Sequence, residues 1–424
     1  MTEPPEIHFN NKKISKNTHM NTPSALAGIT VLDFTQLLQG PYATQMLGDM
    51  GANVIKIEKA GSGDLMRSLT FFNEWLPGHE SPCFIPWNRN KRSLALNLKA
   101  PESKELIEKL VRQADVVIEN FRPGVMAKLG LSYEDMAKIN PSLVYCSASG
   151  WGSDGPYAKR PGQDLLVQGL SGAAMTSGRG DDAPVAIGTA LSDQLGAMHI
   201  VYSVLSALFY RERTGEGQLI EVNLLQSVLA FEMQDFFTIH NLKKNFERPN
   251  SGIAHPGNGA PFGIYETQDG WLSIAMCPWS KIVEATSAQE LEQYDDPQIL
   301  FDRRDEVFEA LQEQMRTKTT AEWLEIMLGL DIWCAEVLEQ KDVENDPQVQ
   351  HLEAFTEMEH PAAGRVKVTN IPVKMSRTPG VLRRPAPLIG QHGPEILEEL
   401  GYSAEEIQAF ESKGVLTVQS ADGA

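Results

Sequence analysis

Asp193 stands immediately before QLGAMHIVYSVLSALFYRERTG (194–215), a stretch that is apolar nearly all the way around, for about five helical turns. A carboxylate in that position has two readings. It is an N-cap that satisfies the first free backbone N–H groups of the helix, or it is a nucleophile that the helix dipole and those donors hold ionised. Once ionised, it needs no base to remove a proton before it attacks. Asp164, in RPGQDLLVQGLSG, begins another helical stretch and has the same two readings. His199 falls inside the apolar helix, where a hydrogen-bonded core histidine is the expectation.

A second kind of chemistry is suggested by FIPWNRNKRSLALNLK (84–99), which carries Arg89, Lys91, Arg92 and Lys99 and no acidic residue. Such a block docks an anionic ligand through charge-assisted hydrogen bonds to phosphate, or it is a solvated loop ahead of a strand. Lys56 and Lys59 close a neighbouring apolar run. ENFRPG (119–124) follows another, so Asn120, Phe121 and Arg122 would sit at a strand's carboxyl end, where open parallel sheets bind ligands. GSGD (61–64) lacks the spacing of a phosphate loop and reads as a turn. With neither G-x-S-x-G nor H-E-x-x-H present, serine and zinc hydrolase chemistry have no support.

The chain of 424 residues is longer than one core usually serves, so two domains are expected. A net charge of −19 argues against a nucleic-acid or anionic-membrane partner, and any phosphate ligand must find a local basic patch. The four cysteines are far apart and form no C-x-x-C pair, which implies reduced thiols in a cytoplasmic protein without a structural metal. Residues 1–22 are polar and read as a disordered tail, with Met20 as a conceivable alternative start. No apolar run reaches the ~18 residues of a membrane span.

These residues need a scaffold, and the pattern supplies one. ITVLDF (29–34), NVIKIE (53–58), SLALNL (93–98), DVVIEN (115–120), LVYCSAS (143–149) and QLIEVNLL (218–225) are short β-branched or leucine-rich runs. PYATQMLGDMGA (41–52) and PESKELIEKLVRQ (101–113) lie between them, each opened by a proline. Strand, helix, strand in repetition implies a parallel sheet covered by helices on both faces. A second unit begins near His255, with FGIYET and GWLSIAMC as a hairpin, and GRVKVTNIPVKM (364–375) is strand-like.

Four blocks in order, ALAGITVLDFTQLLQGPYATQMLGDMGANVIKIEKAGSGD, NRNKRSLALNLK, DVVIENFRPGVMAKLGL and GTALSDQLGAMH, resemble the family III CoA-transferases, a group that also includes α-methylacyl-CoA racemases. The resemblance runs from about Leu26 to Asn223 and returns in APLIGQHGPEILEELG. It implies an acyl-CoA thioester and a small carboxylic acid as substrates, with no permanently bound cofactor. It also implies that Asp193 attacks the donor thioester to give a mixed anhydride, then an aspartyl-CoA thioester that the acceptor acid attacks in turn. By the same resemblance Gln39 and Gly40 line the pantetheine. Lys59, Leu96, Asn97, Leu98, Lys99, Asn120, Phe121, Arg122 and Lys128 hold the nucleotide, and Arg92, Gln163 and Asp164 belong to the same CoA site. SGIAHPGNGAPFG (251–263) corresponds to a glycine-rich loop that covers the reactive intermediates.

The racemases of this group use a histidine in a G-H-D motif that aligns with Gly162, Gln163 and Asp164. Gln163 cannot carry a proton by changing charge, so transferase is favoured over racemase. A dehydrogenase or a non-catalytic CoA- or nucleotide-binding protein stays open as another class, though the dinucleotide fingerprint is missing. The expected fold is α/β: a Rossmann-like large domain over 23–222 completed by 346–424, a linker at 223–254 and a small α+β domain at 255–345. The resemblance implies a homodimer of interlocked rings.

Overall fold

The computed structural model describes residues 24–419; the expected tail over 1–22 and Met20 lie outside the described residues. The apolar runs become six strands: β1 (Thr30–Asp33), β2 (Asn53–Lys59), β3 (Lys91–Leu96), β4 (Val116–Glu119), β5 (Val144–Ser149) and β6 (Gln218–Asn223). Successive side chains along a strand point to opposite faces, yet Val31 and Leu32 are both fully buried, as are Val116 and Val117. Helices therefore cover both faces, which is why these strands read as continuous apolar runs. On one face the helix Pro101–Gln113 packs through Leu106, Ile107, Leu110 and Val111, beside Ile396, Leu397 and Ile407 from near the C-terminus. On the other, the helices Gln39–Asp49 and Leu191–Thr214 contribute Ala43, Leu47, Ala197, Ile200 and Val204. Each large apolar side chain buried this way contributes roughly 1.5–3 kcal/mol.

All neighbours among these six are parallel and run in the order β3-β2-β1-β4-β5-β6. The chain starts at β1, builds outward through β2 and β3, and then crosses to β4. That reversal opens a crevice at the carboxyl ends of β1 and β4, the place where doubly wound sheets take their ligands.

Beyond β6 much of the stretch expected as a linker is helical, over Leu224–Phe231 and Met233–Leu242. The second unit has the expected hairpin of β7 (Gly263–Glu266) and β8 (Trp271–Ile274), and β9 (Cys334–Glu336) adds a third antiparallel strand that no pattern announced. Its core is its own, built on Tyr265, Trp279, Leu291, Phe308 and Trp323. A further hairpin, β10 (Phe355–His360) with β11 (Gly364–Thr369), follows. Finally β12 (Leu416–Thr417) returns to the large sheet and pairs antiparallel with β3 at its edge.

The long helix departs from expectation twice. It starts at Leu191, so Asp193 is its third residue and Ala190 holds the N-cap position without a side-chain bond. Nor is it buried all round: Met198, Tyr202 and Phe209 are 50%, 60% and 65% exposed. Its buried stripe is narrow, with Ile200 and Val204 set among the small residues Ser192, Gly196, Ala197 and Ala207. Nearby, a cavity of about 1040 Å³ is walled by Tyr42, Trp87, Gln194, Val201 and Phe355.

Candidate active site

At the switch point the turn after β1 runs directly into the helix Gln39–Asp49. It folds back so tightly that a Cβ on Gly40 would stand 2.3 Å from the Thr35 side chain. Gln39 is 4% exposed, and its Nε2 has no hydrogen-bond partner among the described residues. A buried amide donor left unpaired costs about 1–3 kcal/mol, so a ligand acceptor reaching it would be held firmly.

Asp193 projects toward this turn from the first turn of its helix. Burial is the largest influence on its carboxyl and raises the pKa; the nearby charge of Asp164 raises it further, and the Gln39 backbone N–H pulls it partly back down. The result is a pKa of about 7. This corrects the expectation of a carboxylate held ionised by the helix dipole: desolvation outweighs the dipole here. Near neutrality a substantial fraction is anionic, and that anion is more basic, hence more nucleophilic, than an exposed carboxylate.

Asp164 is the first residue of the helix Asp164–Ser171. Its Oδ1 accepts from the Ser192 N–H and hydroxyl, both at 2.7 Å, and its Oδ2 accepts from Gln168 Nε2 at 2.8 Å. With both oxygens engaged it steadies the start of the Asp193 helix. Gln163 is exposed at the N-cap position of the same helix. His199 is held as expected, its Nδ1 2.7 Å from Ser227 Oγ.

Over its first half the basic block is not a solvated loop, and its cations are paired with carboxylates rather than free. Arg89 pairs with Asp49 at 2.7 Å, and Lys91 with Asp33 at 3.1 Å. Arg92, expected in the CoA site, bonds Glu395 at 2.8 Å and Glu399 at 2.7 Å. Acidic partners distant in sequence thus claim these cations, and the block staples the returning C-terminal chain to the sheet. Leu96 is fully buried in the core, and its carbonyl accepts from the Ala60 N–H. Phe121 and Leu98 pack partly against that core. Asn120 is engaged elsewhere: its Oδ1 accepts from the Gln36 N–H and its Nδ2 donates to the Gln36 carbonyl, both at 2.8 Å. What remains open is a rim of exposed residues, Lys59 at the end of β2, Asn97 and Lys99 after β3, and Arg122 and Lys128 after β4. These are the carboxyl ends of neighbouring strands, so the free positive charge collects beside the switch point.

The segment 251–263 is laced to the second unit and to the helix Met233–Leu242. Arg304 Nη1 donates to the Pro256 carbonyl at 2.6 Å, Ala260 N–H to Leu300 at 3.1 Å, and His255 Nε2 lies 3.0 Å from Asp235. None of its glycines has a positive φ. Gly252 and Gly259 are needed for close packing instead, since a Cβ would come within 2.5 Å of Phe308 and 2.4 Å of the Leu300 carbonyl.

Sequence reasoning missed the supports beneath the turn. Lys56 and Asp64 are buried and form an ion pair at 2.9 Å. Asp64 lay in a loop with turn composition, and Lys56 in a strand whose charge looked terminal. Only the unusual lysine within an apolar run hinted at a buried partner.

A profile for CoA-transferase family III matches residues 26–393. The succinyl-CoA:glutarate CoA-transferase of Homo sapiens is 33% identical over 407 residues, covering 94% of this chain and 91% of that protein. A formyl-CoA:oxalate CoA-transferase of Escherichia coli is 34% identical over 420 residues, covering 92% and 99%. Among solved structures, a CaiB/BaiF family protein from Brucella suis superposes with a TM-score of 0.78 at 30% identity, over 89% of this chain and 99% of that one. Rv3272 from Mycobacterium tuberculosis gives 0.76 at 27%, over 88% and 99%. The switch-point crevice, its aspartate and its basic rim therefore sit in a chain that matches the family across nearly its whole length: this protein belongs to CoA-transferase family III.

Proposed function

We propose that the protein transfers CoA from an acyl-CoA to a small dicarboxylic acid with Asp193 as the covalent nucleophile. An Asp193 oxygen attacks the thioester carbonyl, the C–S bond breaks, and CoA thiolate leaves a mixed anhydride. The thiolate then attacks the Asp193 acyl carbon, releasing the donor acid and forming an aspartyl-CoA thioester. The acceptor carboxylate attacks that thioester and expels thiolate again. Thiolate attack on the acceptor's acyl carbon finally frees product and restores Asp193. Charge and atoms balance at every step, and no external proton is required.

The observation that carries this reading is Asp193 itself, a carboxylate of raised basicity facing the Gln39 turn at the switch point. Lys59, Lys99, Arg122 and Lys128 provide the local positive charge for the nucleotide of CoA in an otherwise acidic protein, with Asn97 beside them as a neutral hydrogen-bonding group. The dicarboxylate class rests on the two transferases above, whose names carry glutarate and oxalate, both dicarboxylic acids. We further propose a homodimer, because the Met198, Tyr202 and Phe209 face is a large apolar surface for one chain to leave in water. Four free thiols, two of them buried, fit a cytoplasmic setting.

The test is direct. Incubating the protein with a donor acyl-CoA and quenching with hydroxylamine or borohydride should modify one peptide, at Asp193. Modification at Asp164 alone, or exchange undiminished in Asp193→Asn, would refute the assignment.

A further inference from the structure

We propose that Asn120 is a positioning residue for acyl transfer, whose carboxamide clamps the Gln36 peptide and thereby fixes the turn that presents Gln39 to Asp193. It rests on the reading of Asp193 as nucleophile and assigns to Asn120 a task different from holding the nucleotide.

The turn has little internal reason to adopt its shape. Leu37 has φ +65°, a left-handed conformation that costs a side-chain-bearing residue about 1–2 kcal/mol. Such a conformation persists where its surroundings over-determine it. Side chains from three other segments do so here. The Thr35 carbonyl accepts from Lys56 Nζ at 2.8 Å, and the Leu37 N–H donates to Asp64 Oδ1 at 3.0 Å. Between them, Asn120 takes both the N–H and the carbonyl of Gln36. Asp64 and Lys56 also bind each other and so act as one support. Asn120 comes from the far side of the switch point, at the end of β4, and is the support that ties the turn to the strand across the crevice. Without it one residue loses both its backbone hydrogen bonds to Asn120 at once, and Leu37 is free to relax to negative φ. That rotation would carry the Gln39 N–H away from Asp193.

The role is specific because both ends of the Asn120 carboxamide already bond Gln36, its oxygen to the N–H and its nitrogen to the carbonyl, which fixes its orientation and leaves it one N–H and one lone pair. The groups facing Asp193 are the Gln39 N–H from the turn and Asp164 from its neighbouring helix, and Asn120 acts only through the first.

The experiment compares Asn120→Asp, Asn120→Ala and Arg122→Ala with wild type. It reads kcat for CoA exchange, the Kd of free CoA by calorimetry, and the midpoint of the acidic limb of kcat/KM. Asn120→Asp keeps the shape and the acceptor, so it remains informative if Asn120→Ala folds poorly. We expect kcat to fall roughly 10- to 100-fold in the Asn120 variants, the scale of a small misplacement in an active site. Their CoA Kd should stay within about 3-fold, and the acidic limb should move to higher pH as Asp193 loses its donor. Arg122→Ala should do the reverse. An Asn120 variant that loses CoA affinity as Arg122→Ala does, with kcat at saturation intact, would overturn the proposal. So would a fall in kcat with no movement of the limb, which marks a merely structural part. If wild type shows no exchange, the nucleophile reading fails separately. The Asn120 assignment is then judged by the Asp193 carboxyl pKa from carbon-13 NMR, which must rise in Asn120→Asp.

Discussion

Gly196 and Gln39 touch so closely that a Cβ on Gly196 would stand 2.5 Å from Gln39 Nε2. Gly196 lies on the same helix as Asp193, three residues on, so the helix that carries Asp193 also forms the wall behind the Gln39 amide. Gly196→Ala should push that amide out of place and lower kcat about 10- to 100-fold with CoA affinity unchanged. The helix gains about 1 kcal/mol from alanine and loses a comparable amount to overpacking. The melting temperature should therefore hardly move, and an unchanged kcat would show that Gln39 needs no fixed place.

Exchange should require ionised Asp193. Its pKa of about 7 predicts that kcat/KM rises with pH through neutrality and levels off above it. Asp164→Asn removes the like charge that helps to raise that pKa, while Gln168 Nε2 keeps the Ile187 and Thr189 carbonyls. The limb should then shift to lower pH. A flat profile between about pH 5 and 9 would exclude Asp193 as the titrating group.

The same shift bears on stability. Because the folded pKa of about 7 exceeds the ordinary 3.8, the protonated carboxyl favours folding. That contribution is fully present below about pH 3.8 and is lost as pH rises to about 7. Asp193→Asn should raise the melting temperature more at pH 8 than at pH 4 while reducing kcat by roughly 10⁴-fold, the scale of a lost covalent nucleophile. Equal melting shifts at both pH values would mean that the carboxyl is not desolvated.

Charge on the rim and charge in the block should separate cleanly. Lys99→Glu should weaken CoA binding and flatten its salt dependence, because Lys99 is exposed beside the crevice. Arg92→Ala should leave the CoA Kd within about 2-fold but lower stability by on the order of 1–3 kcal/mol, since its guanidinium is buried between Asn53, Glu395 and Glu399. Titration calorimetry at two salt concentrations and thermal melts read both, and a Kd effect in Arg92→Ala would return that residue to the binding site.

Wild type should not exchange the α-proton of a 2-methylacyl-CoA. Gln163→His alone should remain inactive in that reaction, because position 163 is exposed and its surroundings do not tune a pKa for a base. Deuterium uptake from heavy water, followed by mass, checks both proteins.

The scaffold was legible where a local pattern carries it. β1, β2, β4 and β5 are short apolar runs, and the proline-opened helices fell where a first turn accepts proline. That Asp193 lies in the first turn of a long helix was legible from the apolar stretch that follows it. What could not be read was partnership across distance. Nothing near Arg92 announces Glu395 and Glu399, and nothing near Asn120 announces the Gln36 peptide. Equally hidden was the sign of Asp193's pKa shift, because burial is a property of the assembled crevice and the dipole is a property of one helix. β9, β10 and β12 escaped because short half-exposed strands have little pattern of their own.

The pairing of β12 with β3 has a consequence for how the chain is made. β3 is laid down early, yet its outer edge waits for residues 416–417, with the whole second unit synthesised in between. Until those residues leave the ribosome, the nascent sheet presents unpaired N–H and C=O groups along Lys91–Leu96, and Arg92 lacks its glutamates. Closing so long a loop is slow, and an open strand edge invites pairing with other chains meanwhile. The sheet is thus sealed only after the whole second unit has been made, and a chain cut short before Leu416 should accumulate as aggregate even though every element of the crevice is present.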